Sequence, residues 1–391
     1  MTESHTLPRI VAARRTPIAT RGRALAALTV EQLAVPAVRA VHDDATHMLG
    51  LPPVMADVVL GNCMGPGGNP ARVAALGAGL GFAVPGLTVD RQCGSGLAAI
   101  IEASTAISAG DGRPRIAGGV ESASTAPTRS VDGVAYTRAP FAPSGWHDPD
   151  MTRAAEDLAE HDGISRERQD AYAARSTHRA ASAVAAGRFT DELVPLVGAA
   201  EHDEAPRSGI ERLLPRFTPL FSDGSLTAGN TCRVSDGAAA VLVVPGGPGG
   251  PGGPGGPAHG SATPGLAVRA HAVVGCDPAL PGIGAAPAIL DALERADVDL
   301  AQVAAFEIVE AFAAQTLAVL DRLGVAEVDE RLCADGGALA LGHPWGASGA
   351  VAVVRLFSRL VRGGAPAGTI GVAAASVGGG LGVAAVFEVV R

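Results

Sequence analysis

The chain has 391 residues, 47% of them hydrophobic, 18% charged and 3% aromatic, with 52 Gly and 28 Pro. That composition excludes a disordered chain and describes a globular protein, of two or three domains or one large layered unit, whose core is packed with Ala, Val and Leu. The net charge of −9 argues against nucleic acid as a partner, and all 30 basic residues are Arg, so a ligand phosphate must be met by Arg, His or backbone N–H.

In chain order, Pro8 to Ala13 predicts a first strand, and Thr29 caps a helix from Val30 to Val41, with Glu31 in its first turn and Pro36 inside it. Val54 to Leu60 is a short buried strand, Ala71 to Gly79 a helix, and Pro85 to Val89 a buried strand. A small-residue turn then carries Cys93 into a helix from Leu97 to Ala109, and Arg115 to Val120 is the next strand. Alternating strands and helices point to βαβ units. The pattern breaks after Glu121, where residues 122–149 are rich in Ser, Pro and Gly and hold Tyr136, Phe141 and Trp146. Scarce aromatics gathered in a loop suggest a cover over a ligand. Helices at Thr152 to Asp162 and Arg166 to Ala186, the second capped by Ser165, complete a lid spanning about 122–225.

Ala238 to Val244 is a strand, and the Pro/Gly run at 245–257 cannot pack a core, so it divides residues 1–244 from residues 258–391. The second part predicts a strand (Ala267 to Val274), a helix (Pro287 to Ala296), a strand (Ala304 to Val309) and a helix (Glu310 to Leu323). The glycine-rich block Gly336 to Gly349 leads into a helix from Ala350 to Arg362, and strands at Thr369 to Ala375 and Gly382 to Val390 flank Gly378-Gly379-Gly380. The halves echo each other, with a strand running into a small-residue turn at Cys93 and again at Ser376.

Cys93 is the candidate nucleophile. A cysteine between strand end and helix start faces the unpaired N–H groups of the first turn, which favour thiolate, and Gly94 and Gly96 admit a substrate to the backbone. His343, held between Gly342 and Pro344, is the candidate base, the pair expected as thiolate and imidazolium. Gly378 to Gly380 offer either an oxyanion-holding nest of N–H groups or a tight hairpin turn. The cysteines, Cys63, Cys93, Cys232, Cys276 and Cys333, form no CxxC pair, so neither a disulfide framework nor a metal site is expected. A reducing, cytoplasmic setting fits this spacing. No apolar run is long enough to span a bilayer, and Met1 to Ile10 lacks the features of a signal peptide.

Six stretches in order give the chain its resemblance to the thiolase family. They are Asn69-Pro70-Ala71-Arg72, Val89 to Gly96, Thr227-Ala228-Gly229-Asn230 with Asp236-Gly237-Ala238, Glu310 to Gln315, Gly336 to Pro344, and Gly378 to Gly382. The resemblance implies two duplicated α/β halves in a five-layered αβαβα arrangement, with the lid inserted in the first. It implies an acyl-CoA or acyl-carrier thioester as substrate, no permanently bound cofactor, and an acyl-enzyme on Cys93. His343 would activate Cys93 and help hold the thioester oxyanion, with the N–H groups of Cys93 and Gly378 forming the second oxyanion hole. Met151, Arg207, Phe221, Ala228, Ala311 and Phe312 would line the coenzyme A channel, and a homodimer or homotetramer would be the assembly.

Two positions depart from the family pattern. Ser376 stands where the family places a second catalytic cysteine, and a serine hydroxyl is far less acidic than a thiol of pKa near 8.5. Val309 stands where the family has an Asn that holds a water in the first oxyanion hole; losing one such donor costs on the order of a hundredfold in rate. The expectation is therefore an acyltransferase that loads Cys93 and passes the acyl group to an amine, an alcohol or another thiol. The alternatives are an acetyl-CoA C-acetyltransferase or 3-ketoacyl-CoA thiolase, in which Ser376, water or His343 moves the proton, and a non-catalytic subunit that binds acyl-CoA or a partner.

Overall fold

The computed structural model describes residues 7–50, 52–204, 206, 209–246 and 263–391. Its first half runs strand β1 (Arg9–Arg15), helix α1 (Val30–Leu49), strand β2 (Asp57–Gly61), helix α2 (Pro70–Gly77), strand β3 (Leu87–Val89), helix α3 (Ser95–Ser108) and strand β4 (Arg115–Glu121). Helices α4 (Met151–Asp162) and α5 (Arg166–Ala185) precede strand β5 (Ser235–Val244). The second half runs strand β6 (Gly265–Gly275), helix α6 (Ala285–Ala296), strand β7 (Val303–Ile308), helix α7 (Ala313–Leu323), helix α8 (Trp345–Leu356), and strands β8 (Ile370–Val377) and β9 (Leu381–Val390).

Local chemistry starts these helices where the sequence suggests. Thr29 Oγ accepts from Gln32 N at 3.4 Å while the Gln32 side chain accepts from Thr29 N at 2.9 Å, a reciprocal cap on α1. Asn69 caps α2 with Pro70 at its first position, and Ser165 caps α5.

The sheet order is β3-β2-β4-β5-β1 in the first half and β7-β8-β9-β6 in the second. β2 lies parallel to β4, then β4, β5 and β1 alternate in direction. β7 lies parallel to β8, then β8, β9 and β6 alternate in the same way. The halves are duplicates, and β1 pairs antiparallel with β6 at Arg9 and Ala267, joining them into one continuous sheet. Three apolar cores separate the layers. α1 and α2 cover the outer face of the first half, and α6 and α7 that of the second. Between the two halves of the sheet lie α3 and α8, whose Leu97, Ile100, Val353 and Val354 meet side chains of both halves. The result is the αβαβα arrangement.

The inner helices touch backbone to backbone. A Cβ on Gly96 would fall 2.8 Å from Ala350 N, and one on Gly349 would fall 2.6 Å from Leu97 N. This explains a departure from the sequence reading: α8 begins at Trp345, so Gly346 to Gly349 are helical rather than loop. Their glycines serve close approach instead of a turn. The duplication also differs from the expected echo. β8, which ends at Ser376 and Val377, matches β4, so the counterpart of the Cys93 turn is the His343 turn before α8. β3 is a three-residue edge strand with Leu87 exposed, not a buried one, because no strand flanks it on its far side. Glu310 to Phe312 precede α7 as non-helical chain.

The lid helices α4 and α5 pack on α7. The segment after α5 is tied down by a buried charge cluster, where Glu192 accepts from Arg15 Nε of β1 at 2.7 Å and pairs with Arg355 of α8. Residues 247–257 of the Pro/Gly run lie outside the described residues.

Candidate functional site

The two inner helices aim their N-termini at one place. There a cavity of about 330 Å³ is lined by Cys93, His343, Ser376, Gly378, Met151, Ala311 and Phe312, a size that suits a small ligand. Seven of the ten residues singled out from sequence thus share one wall. Phe221 and Ala228 line two other clefts, Phe221 lying beneath Arg153 with the guanidinium 4.6 Å from its ring centre. Arg207 lies outside the described residues.

Cys93 is presented by a strained turn. Gln92 has φ of +44°, a conformation unusual for a non-glycine residue, and Asp90 holds it there by accepting from Gln92 N at 2.8 Å and Nε2 at 3.0 Å. Ser95 Oγ accepts from Arg91 N and donates to Gln92 O, each at 2.7 Å. The turn rests on the β8–β9 hairpin, since a Cβ on Gly94 would fall 2.8 Å from the methyls of Val377 and Val383. That hairpin is the Gly378 to Gly380 turn, with Gly379 and Gly380 at positive φ and Val377 paired to Leu381. The glycines thus make a tight turn, and the Gly378 N–H also faces the Cys93 sulfur. A Cβ on Gly378 would meet Phe141 at 2.8 Å, so the lid closes over this turn.

Burial pushes the Cys93 thiol up to about 12, against the smaller opposing pull of the N–H groups of Cys93 and Gly378. Burial lowers His343 to about 4. The expected thiolate–imidazolium pair is therefore corrected to a neutral thiol and a neutral imidazole at rest. Desolvation disfavours both charges, and it outweighs the backbone N–H groups at the helix start.

The His343 ring is oriented from behind. Ser348 Oγ donates to Pro344 O at 3.0 Å, which uses its proton, and so accepts from His343 Nδ1 at 2.6 Å. Nδ1 carries the ring hydrogen, and Nε2 is left with a lone pair and no partner. His343 N donates to Arg233 O at 2.9 Å, fixing the loop beside the segment that carries Thr231 and Cys232.

Ser376 is engaged elsewhere. Its Oγ donates to Gly282 O at 2.6 Å and accepts from Ala285 N at 3.0 Å and from Gln315 Nε2 at 3.4 Å, so it caps the start of α6. Val309 is buried, does not line the Cys93 cavity, and borders a separate void of about 30 Å³ beside Glu307 and Arg355. Glu310 is held by Tyr172 Oη and Ser176 Oγ of α5, both at 2.7 Å, which binds the lid to the loop carrying Ala311 and Phe312. Tertiary pairing of this kind left no signal in the sequence, whereas Phe141 among the loop aromatics was a usable one. Tyr136 and Trp146, the other two, stay off the cavity wall. Among the described residues, no group of three or more His, Cys, Asp or Glu could hold a metal ion, and no helix is long and apolar enough to cross a membrane.

Comparison with known proteins identifies relatives along nearly the whole chain. The family described as "Thiolase, N-terminal domain" matches residues 9–246, and "Thiolase, C-terminal domain" matches residues 262–389. A VraB protein of Staphylococcus aureus, named for acetyl-CoA C-acetyltransferase activity, is 39% identical across 97% of this chain and 98% of its own. YhfS of Bacillus subtilis, named for the same activity, is 40% identical over the same shares. The crystal structure of the Bacillus anthracis acetyl-CoA acetyltransferase superposes with a TM-score of 0.85 at 33% identity, covering 100% of both chains.

Proposed function

The chain belongs to the thiolase family, an acyltransferase family, and from that premise we propose that it is an acetyl-CoA C-acetyltransferase working through an acyl group on Cys93. The neutral pair suits the first step. His343 Nε2 takes the Cys93 proton as the sulfur attacks the thioester carbonyl, so charge appears only when substrate is present. The oxyanion forms where the N–H groups of Cys93 and Gly378 converge. The imidazolium created in that step can then donate to an oxyanion from the other side. Met151, Phe141 and Phe312 supply the apolar wall along which the thioester arm lies, and Ala311 leaves it room.

The observation that carries this reading over transfer to an amine or alcohol is the near-complete coverage by relatives named for carbon–carbon chemistry. Incubation with acetoacetyl-CoA and free coenzyme A tests it: thiolysis to acetyl-CoA is expected. If Cys93 gains an acyl mass without thiolysis, the non-carbon acceptor takes its place. If Cys93 gains no acyl mass at all, the chain is a binding subunit. By the same reading the protein is a cytoplasmic homodimer or homotetramer, its sequence divided into two halves by residues 245–257.

A further inference from the structure

We infer that Cys232 is the second working thiol of this site, the group that protonates the departing α-carbon during thiolysis; the inference rests on the carbon–carbon reading above. Among the described residues, Cys93 and Cys232 are the two cysteines on the cavity wall. Cys63 is buried behind the nucleophile turn, its sulfur directed at Gln92 O at 3.1 Å, and Cys276 and Cys333 lie off the wall. Cys232 is fixed by its backbone, its N donating to Ala311 O at 3.0 Å and its neighbour Thr231 bridging to Phe312. That places it between the Ala311–Phe312 loop and His343. Cys93 is the ionisable group that acts on it most strongly.

Two features point to a reacting group in the space these residues share. His343 is only 1% exposed, yet its Nε2 has no partner. Thr231 Oγ1 on the same wall is likewise unpartnered. A buried polar atom left so is destabilising unless a ligand satisfies it. The Ser376 proton, meanwhile, is committed to Gly282 O, and its oxygen holds the start of α6. Burial raises the Cys232 thiol and so keeps it protonated, the form an acid needs.

The step balances as follows. Cys93 sulfur, its proton passed to His343, bonds to C3 of a 3-ketoacyl-CoA. The C2–C3 bond breaks with its electron pair on C2, and C2 takes the Cys232 proton, releasing acetyl-CoA. Incoming coenzyme A returns a proton to the Cys232 sulfur as its own sulfur bonds to the acyl carbon. Cys93 then leaves with its electron pair and recovers the proton from His343.

Run in reverse, the same group exchanges the methyl hydrogens of acetyl-CoA, which gives the test. The full chain is incubated with acetyl-CoA in heavy water, and deuterium in the methyl group and acetyl mass on Cys93 are both measured. Wild type is expected to show both. Cys232→Ala and Cys232→Ser are expected to lose deuterium incorporation by about 100-fold or more. Acetylated Cys93 in each confirms an intact fold and nucleophile. Exchange retained in Cys232→Ala, or restored by Cys232→Ser, overturns the assignment. Absence of exchange in an acetylated wild type overturns the carbon–carbon reading itself, and the assignment with it.

Discussion

α3 and α8 occupy equivalent places in the two halves, and each starts at the same cavity, but their first turns are built to opposite ends. The turn before α3 holds a sulfur on a partly exposed residue that follows a strained Gln92, anchored by side chains of its own segment. The turn before α8 holds an imidazole almost out of solvent, anchored through Ser348 and by Arg233 from a distant segment. A duplicated scaffold thus supplies two converging helix ends. On the reading proposed above, the partly exposed Cys93 is the group that meets substrate and the enclosed His343 the one that takes its proton.

The comparison breaks most completely at Cys93. Cys93→Ala is expected to remove all covalent acyl labelling, read by intact mass, and to lower turnover by at least ~10⁴-fold, as loss of a nucleophile does. His343→Asn is expected to lower the acylation rate by about 10²–10⁴-fold, read by stopped-flow, with the fold kept. It also sharpens the burial argument. Held near 4 when folded but near 6.5 when unfolded, His343 makes the unfolded chain bind the extra proton as pH falls. Its contribution is complete above about pH 6.5 and is lost toward pH 4, a span of about 3 kcal/mol. Urea midpoints across that window should flatten in His343→Asn.

The backbone contact between the helices is the next point of attack. Gly96→Ala places a methyl against Ala350 N and should cost about 1–3 kcal/mol, seen as a lower melting temperature together with slower Cys93 acylation. Smallest is Ser376→Ala, which removes a cap on α6 and should cost about 1 kcal/mol in chemical denaturation.

Much of this was legible from residue order. Strand and helix succession gave the α/β class, the family resemblance gave its five layers, and Cys93 and His343 were marked by small residues crowding a reactive one. What failed did so for physical reasons. Glycine marks both turns and close helix contacts, so Gly346 to Gly349 read as loop although they begin α8. Charge state depends on burial, which no local pattern reports, so the Cys93–His343 pair read as charged. The three hydrogen bonds of Ser376 join it to segments 61 to 94 residues away, so residue order carries no sign of them. Phe221 and Ala228, named from the family pattern, line clefts separate from the Cys93 cavity, a placement that no local run of residues reports.

The strand β1 pairs with β5 on one side and β6 on the other, so the chain's opening segment is the seam of the entire sheet. Neither half can close its hydrogen-bond ladder until Ser235–Val244 and Gly265–Gly275 have been made, more than 200 residues later. Contacts that span such distances fold slowly. During synthesis β1 therefore waits with both edges open, a bare template for mispairing with other chains, and the yield of assembled protein hinges on how well that interval is guarded.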